Sequence, residues 1–375
     1  MKIVVISPTY NEKVNITKMI PVLEEEVFPQ IKNHEMLLLI ADDHSPDGTA
    51  DVVKEYMKKW KNIHLLEGKK EGLGAAYVRA MRYASKTLKA DAVIEFDADF
   101  QHNPHDIPKL VEAFDGGYEY VIGSRYIKGG KIPPEWGWDR KIQSIFGSLF
   151  ARIVLFMFGV HDMTSGFKLT KMEFLDKIDL EHLYSKYYAY KIQMLYEIAQ
   201  KGAKIKEVPI VFMERKEGSS KISRKDLIDS FYVVIKLRIR DSQRIIKFLV
   251  VGGVGFTLNA ITLHLLVDYS HWIPAVANLI GAAIAIFSNF NFNNIWTFGE
   301  RKVLHFPTYI KKLLHFYATS SFGVVVWQTG AIFLGDLFFG RQHYFIYFVI
   351  GTAILLVWNF TIYNKFIWKD EAAIV

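Results

Sequence analysis

The sequence predicts an α/β domain with a mostly parallel sheet, followed by an all-α membrane domain of four spans. Short apolar runs alternate with helical patterns over the first 240 residues, which is typical of a sheet covered by helices on both faces. Charged residues are sparse after that point, where residues 241–375 hold 9 of the 46 Lys and Arg and 6 of the 39 Asp and Glu. Four long apolar runs fill the same part of the chain.

The composition favours a membrane protein and excludes several classes of site. The chain has 375 residues, 51% of them hydrophobic, with a mean hydropathy of +0.12, which is high for a soluble protein of this length. It has no cysteine, so disulfides, thiolate metal sites and cysteine nucleophiles are excluded. The net charge of +7 is too small and too evenly divided for nucleic acid to be the main partner.

The α/β part reads as four strands, each followed by polar residues. The predicted strands are residues 2–7, 36–43 and 62–68 and the run that begins at Val93. Ligands of parallel sheets gather at the carboxyl ends of the strands. The polar clusters at those ends, which we expect to converge on one crevice, are Pro8–Glu12, Asp42–Asp47, Gly72–Gly74 and Asp97–Gln101. Taken singly, each cluster could also be a helix cap or a turn.

Asp97 and Asp99 form a D-x-D pair at the end of the fourth predicted strand. Side chains at i and i+2 of a strand share a face, and two carboxylates that close repel each other unless a cation or several donors intervene. A calcium loop is excluded, since it would need Gly and Glu where this chain has His102 and Pro108. The pair suits Mg²⁺ or Mn²⁺ shared with substrate phosphates, although a lone D-x-D also occurs by chance.

Six motifs in order give the α/β part a family resemblance. They are "SPTYNE", "DDHSPDGT", "EFDADFQHNP", "GSRYIKGG", "TSGF" and "EVPIVFMERKEGSSK". Together they resemble family 2 glycosyltransferases of the GT-A fold, in particular the dolichol-phosphate mannose synthases. The four apolar runs are similar to the small membrane domain fused to some archaeal members. The resemblance implies inverting transfer of mannose from GDP-mannose to a dolichyl or polyprenyl phosphate, with Mg²⁺ or Mn²⁺ as cofactor.

The resemblance also implies a role for individual residues. The nucleotide sugar would be bound by Pro8, Tyr10, Glu12, Asp42, Asp43, Asp97, Asp99, Gln101, Arg215, Ser220 and Lys221. The metal would be held by Asp97, Asp99 and Gln101, and the acceptor phosphate by Arg125 and Arg140. Asp99, Arg125 and Arg140 would be the catalytic residues. Phe100 stands where leucine is usual in the family.

The chemistry of a phosphate acceptor is consistent with this set. A phosphomonoester with a second pKa of about 6 is already an anionic nucleophile at neutral pH, so no general base is needed. What remains is to orient two anions and to neutralise the departing diphosphate. Arginine suits the acceptor because its planar fork binds phosphate oxygens in pairs, although either arginine alone could be an ordinary surface charge.

The four predicted spans are residues 246–267, 273–298, 313–337 and 343–366, each long enough to cross about 30 Å of hydrocarbon. The loop between the second and third carries Arg301, Lys302, Lys311 and Lys312. By the positive-inside rule this loop is cytoplasmic, which places both termini and the catalytic domain in the cytoplasm. Four asparagines near the end of the second span are expected to join helices, with contact to a lipid phosphate as the alternative: Asn289, Asn291, Asn293 and Asn294.

The predicted domains are 1–222 for the glycosyltransferase, 223–244 for a basic amphipathic linker and 245–375 for the membrane domain. Residues 141–159 and the linker are expected to be helices that lie on the membrane surface, although helices of a soluble core remain an alternative. The partners expected are GDP-mannose, a polyprenyl phosphate and the membrane, with homo-oligomerisation left open. Rival functions are a polyprenyl-phosphate glucosyltransferase that uses UDP-glucose, and a flippase or scaffold with a nucleotide-sensing domain.

Overall fold

The structure, a computed structural model, describes residues 1–214, 224–272, 274–340 and 343–368. The chain divides into two compact units, Met1–Arg238 and Ile239–Val375. The predicted Arg215, Ser220 and Lys221 lie outside the described residues.

The first unit contains a seven-stranded sheet in the order β3-β2-β1-β4-β6-β5-β7. Its strands are β1 Lys2–Thr9, β2 Glu35–Asp42, β3 Ile63–Glu67, β4 Ala92–Glu95, β5 Tyr120–Ser124, β6 Lys168–Lys171 and β7 Ile205–Pro209. Neighbouring strands are parallel except where β6 pairs with β4 and β5. The prediction of a mostly parallel sheet is therefore confirmed.

The reversed direction of β6 decides which loop reaches the functional edge of the sheet. Lys168, the first residue of β6, pairs with Glu95 at the end of β4 and with Ile122 near the end of β5. The segment before β6 therefore lies at the same edge as the segments that follow β4 and β5. This brings the "TSGF" motif, residues 164–167, beside the D-x-D pair.

Helices cover both faces of this sheet. Those of the first unit are α1 Lys13–Pro21, α2 Thr49–Lys59, α3 Leu73–Lys86, α4 Ile107–Asp115, α5 Trp138–Val154, α6 Met172–Leu175 and α7 Tyr190–Gln200. Alternate residues of β1 face opposite ways: Val4 and Ile6 join one buried cluster with α3 and α7, whereas Ile3 and Val5 join another with α1 and α4. Burial on both faces explains why these strands are continuous apolar runs.

Helix α5 exposes an apolar face. The side chains of Trp138, Ile142, Ile145, Phe146 and Ile153 are each about half exposed or more. Large apolar side chains grouped in this way on one helix usually mark a surface that meets a partner or a lipid. Placement of α5 on a membrane stays a prediction.

The second unit is helical. Its helices are α8 Arg224–His264, which begins in the first unit, α9 Pro274–Phe292, α10 Phe306–Gly323, α11 Gly330–Phe339 and α12 Tyr344–Ile362. Among the described residues, two helical segments are long and apolar enough to cross a membrane, Lys225–Tyr269 and Val349–Ile367. The count of four spans and their orientation stay predictions.

Asn294 links three parts of the second unit. Its side chain donates to the Val303 carbonyl oxygen at 3.1 Å and accepts from the Val303 amide at 2.8 Å. Its Oδ1 also accepts from the indole nitrogen of Trp368 at 2.9 Å. Asn291 accepts from the Tyr309 hydroxyl at 2.8 Å. Asn291 thus joins α9 to α10, as expected of this set, whereas Asn294 binds a loop residue and a residue beyond α12.

Candidate active site

A cavity of about 1310 Å³ opens at the edge of the sheet where β1, β4 and β5 end. All of its lining residues belong to the first unit. The predicted site residues that line it are Pro8, Tyr10, Glu12, Asp43, Asp97, Asp99, Gln101, Arg125 and Arg140. The structure thus brings together nine of the predicted residues, although their roles stay predictions.

Asp42 is not among the lining residues. Its side chain is fully buried and accepts hydrogen bonds from the Thr9 hydroxyl at 2.8 Å and from the Ser45 amide at 2.8 Å. These contacts hold the turn after β2 against β1. The structure therefore gives Asp42 a role in shaping the loop, and its contact with a nucleotide stays a prediction.

Asp43 and Tyr10 both line the cavity, and we name this part of it the nucleoside end after the role that the family resemblance implies for them. Asp43 accepts from Arg79 at 2.6 Å, and burial raises the pKa of its carboxyl despite this contact. The Lys70 ammonium lies 3.3 Å from the centre of the Tyr10 ring, within range of a cation–π interaction. This end combines a carboxylate, a cation and an aromatic face, which are groups that can bind a base.

Asp97 is held on both sides by buried donors. The Tyr77 hydroxyl donates to Oδ1 at 2.7 Å and the Lys191 ammonium to Oδ2 at 3.1 Å. Burial alone would raise the pKa of Asp97, but Lys191, His102 and Tyr77 together more than offset this and the pKa falls. Lys191 is 1% exposed. The repulsion expected within the D-x-D pair is therefore relieved by a lysine of α7.

Gly166 makes room for this ion pair. A Cβ at Gly166 would lie 2.2 Å from the Lys191 ammonium and 2.9 Å from Asp97 Oδ2. Any larger residue at this position would push the two groups apart. The glycine of the "TSGF" motif is thus explained by a close approach rather than by a turn.

The segment after Asp97 is tightly bent. Phe100 has a φ of 59°, a left-handed conformation that is uncommon for a bulky side chain. The Gln101 amide donates to Asp99 Oδ1 at 3.1 Å, and the Met213 amide donates to the Gln101 carbonyl oxygen at 2.8 Å. These contacts fix Asp99 and Gln101 relative to each other beside the cavity.

Arg125 follows β5 and is held by a buried carboxylate. Asp162 accepts from its Nε at 2.8 Å and from its Nη2 at 2.7 Å, and the Thr164 hydroxyl accepts from Nη2 at 2.8 Å. Burial alone would lower the pKa of Arg125, but Asp162 reverses this and the pKa rises. The guanidinium is therefore charged at every accessible pH.

Arg140 approaches the cavity from α5. Its guanidinium stacks on Trp136 at 4.0 Å from the ring centre, and partial burial lowers its pKa. The arginine lies in the first two turns of the helix that carries the exposed apolar face. Arg140 therefore connects the cavity with that face.

Part of the cavity wall is aromatic. Phe150 of α5 contacts Phe231 of α8 edge to face, with ring centres 4.7 Å apart, and Phe146 lies 6.2 Å from Phe231. All three line the cavity. We name Phe146, Phe150 and Phe231 the aromatic end.

Several groups at the site were missed from the sequence. They are Lys70, Tyr77, His102, Asp162, Thr164, Tyr188 and Lys191. His102 packs against Phe167 and Phe212 at ring-centre distances of 5.3 and 4.8 Å, and burial lowers its pKa to about 3. Two quoted motifs gave a signal: "EFDADFQHNP" contains His102, and "TSGF" begins with Thr164 and lies two residues after Asp162.

The residues present suit a divalent ion shared with a substrate. Asp99 and Gln101 line the cavity with oxygen donors, and Asp97 lies beside them. Among the described residues, no group of three or more His, Asp or Glu side chains is placed to hold an ion. Mg²⁺ and Mn²⁺ accept such incomplete sets when phosphate oxygens and water complete the shell.

Comparison with protein families finds two matches that together cover most of the chain. Residues 4–179 match Glycosyl transferase family 2. Residues 247–368 match the transmembrane domain described as GtrA/DPMS. The second match falls on the apolar part of the chain and, with the two candidate spans, indicates a membrane protein.

Relatives of known function match as well. The chain is 32% identical to a dolichol-phosphate mannosyltransferase of Pyrococcus furiosus, over 98% of this chain and 99% of that protein. It is 34% identical to a polyprenol monophosphomannose synthase of Mycolicibacterium smegmatis, over 63% of this chain and 86% of that protein. A solved glucosyl-3-phosphoglycerate synthase of Mycobacterium tuberculosis, bound to Mn²⁺ and UDP, is 19% identical over 63% of this chain and 79% of that chain, with a TM-score of 0.43. This last likeness is too distant to bear on activity.

Proposed function

Because the chain belongs to glycosyl transferase family 2 and carries a GtrA/DPMS transmembrane domain, we propose that it transfers mannose from GDP-mannose to dolichyl or another polyprenyl phosphate. It is a glycosyltransferase whose relatives are polyprenol- and dolichol-phosphate mannosyltransferases. One observation carries the proposal: a single cavity joins the nucleoside end, the D-x-D pair, two arginines and the aromatic end.

The donor would lie with its base at the nucleoside end. Guanine offers adjacent N–H donors that a carboxylate such as Asp43 can accept, and its carbonyl oxygen suits a cation such as Lys70. Asp43 is kept in place by Arg79. Uracil offers a single ring N–H, so this end favours GDP-mannose over UDP-glucose.

Asp99 and Gln101 would hold the divalent ion, with Asp97 beside them. When bound, Mg²⁺ or Mn²⁺ would neutralise the departing diphosphate. Asp97 already has Tyr77 and Lys191 on its two oxygens, so its contribution is to keep a negative charge and a buried cation next to the sugar. Gln101 is tied to the backbone of Met213, which limits its movement.

The acceptor would enter from the aromatic end. A phosphate oxygen of the lipid forms a bond to the sugar carbon while the bond from that carbon to the diphosphate breaks, and attack from the opposite side inverts the centre. The phosphate is anionic at neutral pH and needs no general base. Arg125 and Arg140 would orient it, and Phe146, Phe150 and Phe231 would contact its first isoprene units.

The exposed face of α5 supports acceptor entry from a membrane. Ile142, Ile145 and Phe146 lie on the helix that also carries Arg140. A helix that lays such a face in the headgroup region brings its polar face close to lipid phosphates. The proposal therefore places the acceptor end of the cavity at the membrane surface.

Radiolabelled transfer tests the proposal. Full-chain protein in vesicles that contain a defined polyprenyl phosphate is supplied with Mn²⁺ and either labelled GDP-mannose or labelled UDP-glucose. We expect label in the lipid from GDP-mannose only. Asp99→Asn should reduce transfer by on the order of 10²- to 10³-fold, whereas Asp106→Asn, at a buried carboxylate outside the cavity, should keep it. Lipid labelled only from UDP-glucose, or full activity of Asp99→Asn, would refute the proposal.

A further inference from the structure

We propose that Asp162 is a positioning residue for the transfer reaction, which fixes Arg125 so that Nη1 alone faces the acceptor phosphate. The inference rests on the proposed function and concerns a residue that does not itself line the cavity. Asp162 is fully buried. It would act through the arginine and not by touching the substrate.

The hydrogen bonds of Arg125 account for three of its donors. A guanidinium has five N–H groups. The Nε–H goes to Asp162 Oδ2, and the two Nη2 hydrogens go to Asp162 Oδ1 and to the Thr164 hydroxyl. Within the described part of the chain, Nη1 makes no hydrogen bond. The edge of the guanidinium formed by Nε and Nη2 is thus occupied by Asp162 and Thr164. Nη1 is left to bind a phosphate oxygen.

Asp162 is itself held from two directions. The Arg125 backbone amide donates to its Oδ2 at 3.0 Å. Glu207 on β7 accepts from the backbone amides of His161 and Asp162, each at 2.9 Å. The loop before β6 is therefore tied to two strands, β5 and β7. An anchor of this kind keeps Arg125 in one rotamer, which is what transition-state geometry requires.

The ion pair between Asp162 and Arg125 also changes how strongly each of the two arginines attracts the acceptor phosphate. Asp162 cancels most of the charge of Arg125, since both groups are buried and in contact. Arg140 stacks on Trp136 and forms no ion pair within the described residues, where Glu214 acts on it only at longer range. Arg140 should therefore dominate the attraction for the phosphate, and Arg125 should dominate its alignment. Loss of Asp162 should then lower kcat far more than it weakens acceptor binding.

Steady-state kinetics of the full chain in polyprenyl phosphate vesicles test this inference. In Asp162→Asn an amide group faces the guanidinium donors, so Arg125 is displaced. We expect kcat to fall by on the order of 10²-fold, as misplacement of a reacting group does. The KM for the acceptor should stay within about threefold, and GDP affinity measured by calorimetry should not change. Asp106→Asn is the matched control, because it makes the same replacement at another buried carboxylate.

A double variant separates positioning from general damage. If Asp162 acts through Arg125, adding Asp162→Asn to Arg125→Lys should lower kcat by less than about threefold further. Should Asp162→Asn fail to fold, Thr164→Val carries the test, with a kcat about tenfold lower and an unchanged acceptor KM.

Three results would overturn the inference. They are a kcat of Asp162→Asn within threefold of the parent, a parallel loss of GDP affinity, and full additivity with Arg125→Lys. Wild-type protein that transfers no mannose would instead overturn the proposed function and this inference with it. Active wild-type protein with an unaffected Asp162→Asn variant would overturn this inference alone.

Discussion

Replacing Lys191 by methionine tests how much the ion pair between Lys191 and Asp97 contributes to stability. Methionine nearly preserves the volume but removes the ammonium that lies 3.1 Å from Asp97 Oδ2. Breaking a buried pair from one side costs about 3–5 kcal/mol, because the remaining charge is left unpaired. The Asp97 side chain is 26% exposed and keeps its bond from Tyr77, so we expect the lower end, about 3 kcal/mol.

Thermal unfolding of the full chain in detergent, followed by near-ultraviolet circular dichroism, measures this cost. For a domain the size of Met1–Arg238, a loss of about 3 kcal/mol lowers Tm by roughly 6–12 °C. Asp97→Asn alone should be destabilising too, since it leaves the lysine unpaired. The double variant should recover most of the loss. A Tm of Lys191→Met within about 2 °C of the wild type, or simple addition of the two losses in the double variant, would refute the reasoning.

Three further predictions concern other parts of the molecule. Burial lowers the pKa of Lys168 to about 8, from 10.5 for an unperturbed lysine. Because the unfolded chain keeps this proton to higher pH, the Tm of the wild type should rise between pH 8 and 10.5 relative to that of Lys168→Met. Parallel pH profiles of the two proteins would contradict this. Phe231→Ala removes the ring that packs on Phe150 and should raise the acceptor KM about tenfold without changing that of the donor; equal changes in both would contradict an acceptor role. Asn294→Ala leaves two groups of Val303 unpaired and should cost about 2 kcal/mol in detergent thermostability, whereas an unchanged Tm would contradict its linking role.

Local sequence patterns predicted most of the first unit because its strands and helices are short and strongly periodic. The first four strands appear at the expected places, and their polar ends converge as parallel strands require. The reversed strand β6 could not be predicted, since Lys168–Lys171 has the same local character whichever way it runs. Direction is set by which neighbours it pairs with, and those are more than 40 residues away in the chain.

The candidate site was predictable where its residues adjoin one another in the sequence. Asp97, Asp99 and Gln101 form one motif, and the cavity contains all three. Lys191 was not predictable, because it lies in the helical pattern of α7, 94 residues from Asp97. The contacts of Asp42 were not predictable either: this motif neighbour of Asp43 has its carboxylate turned to Thr9 and Ser45. Pairing across the fold decides such cases, and a single sequence does not contain it.

The left-handed backbone at Phe100 places thermal stability and catalytic rate in opposition. A bulky residue in that conformation costs on the order of 1–2 kcal/mol, which glycine would not. Screening of variants for heat resistance alone would therefore tend to select Phe100→Gly and similar relaxations next to Asp99. Such variants would survive heating better but would orient the Asp99 carboxylate less strictly. Selection for a heat-resistant enzyme therefore has to measure product formation at each round.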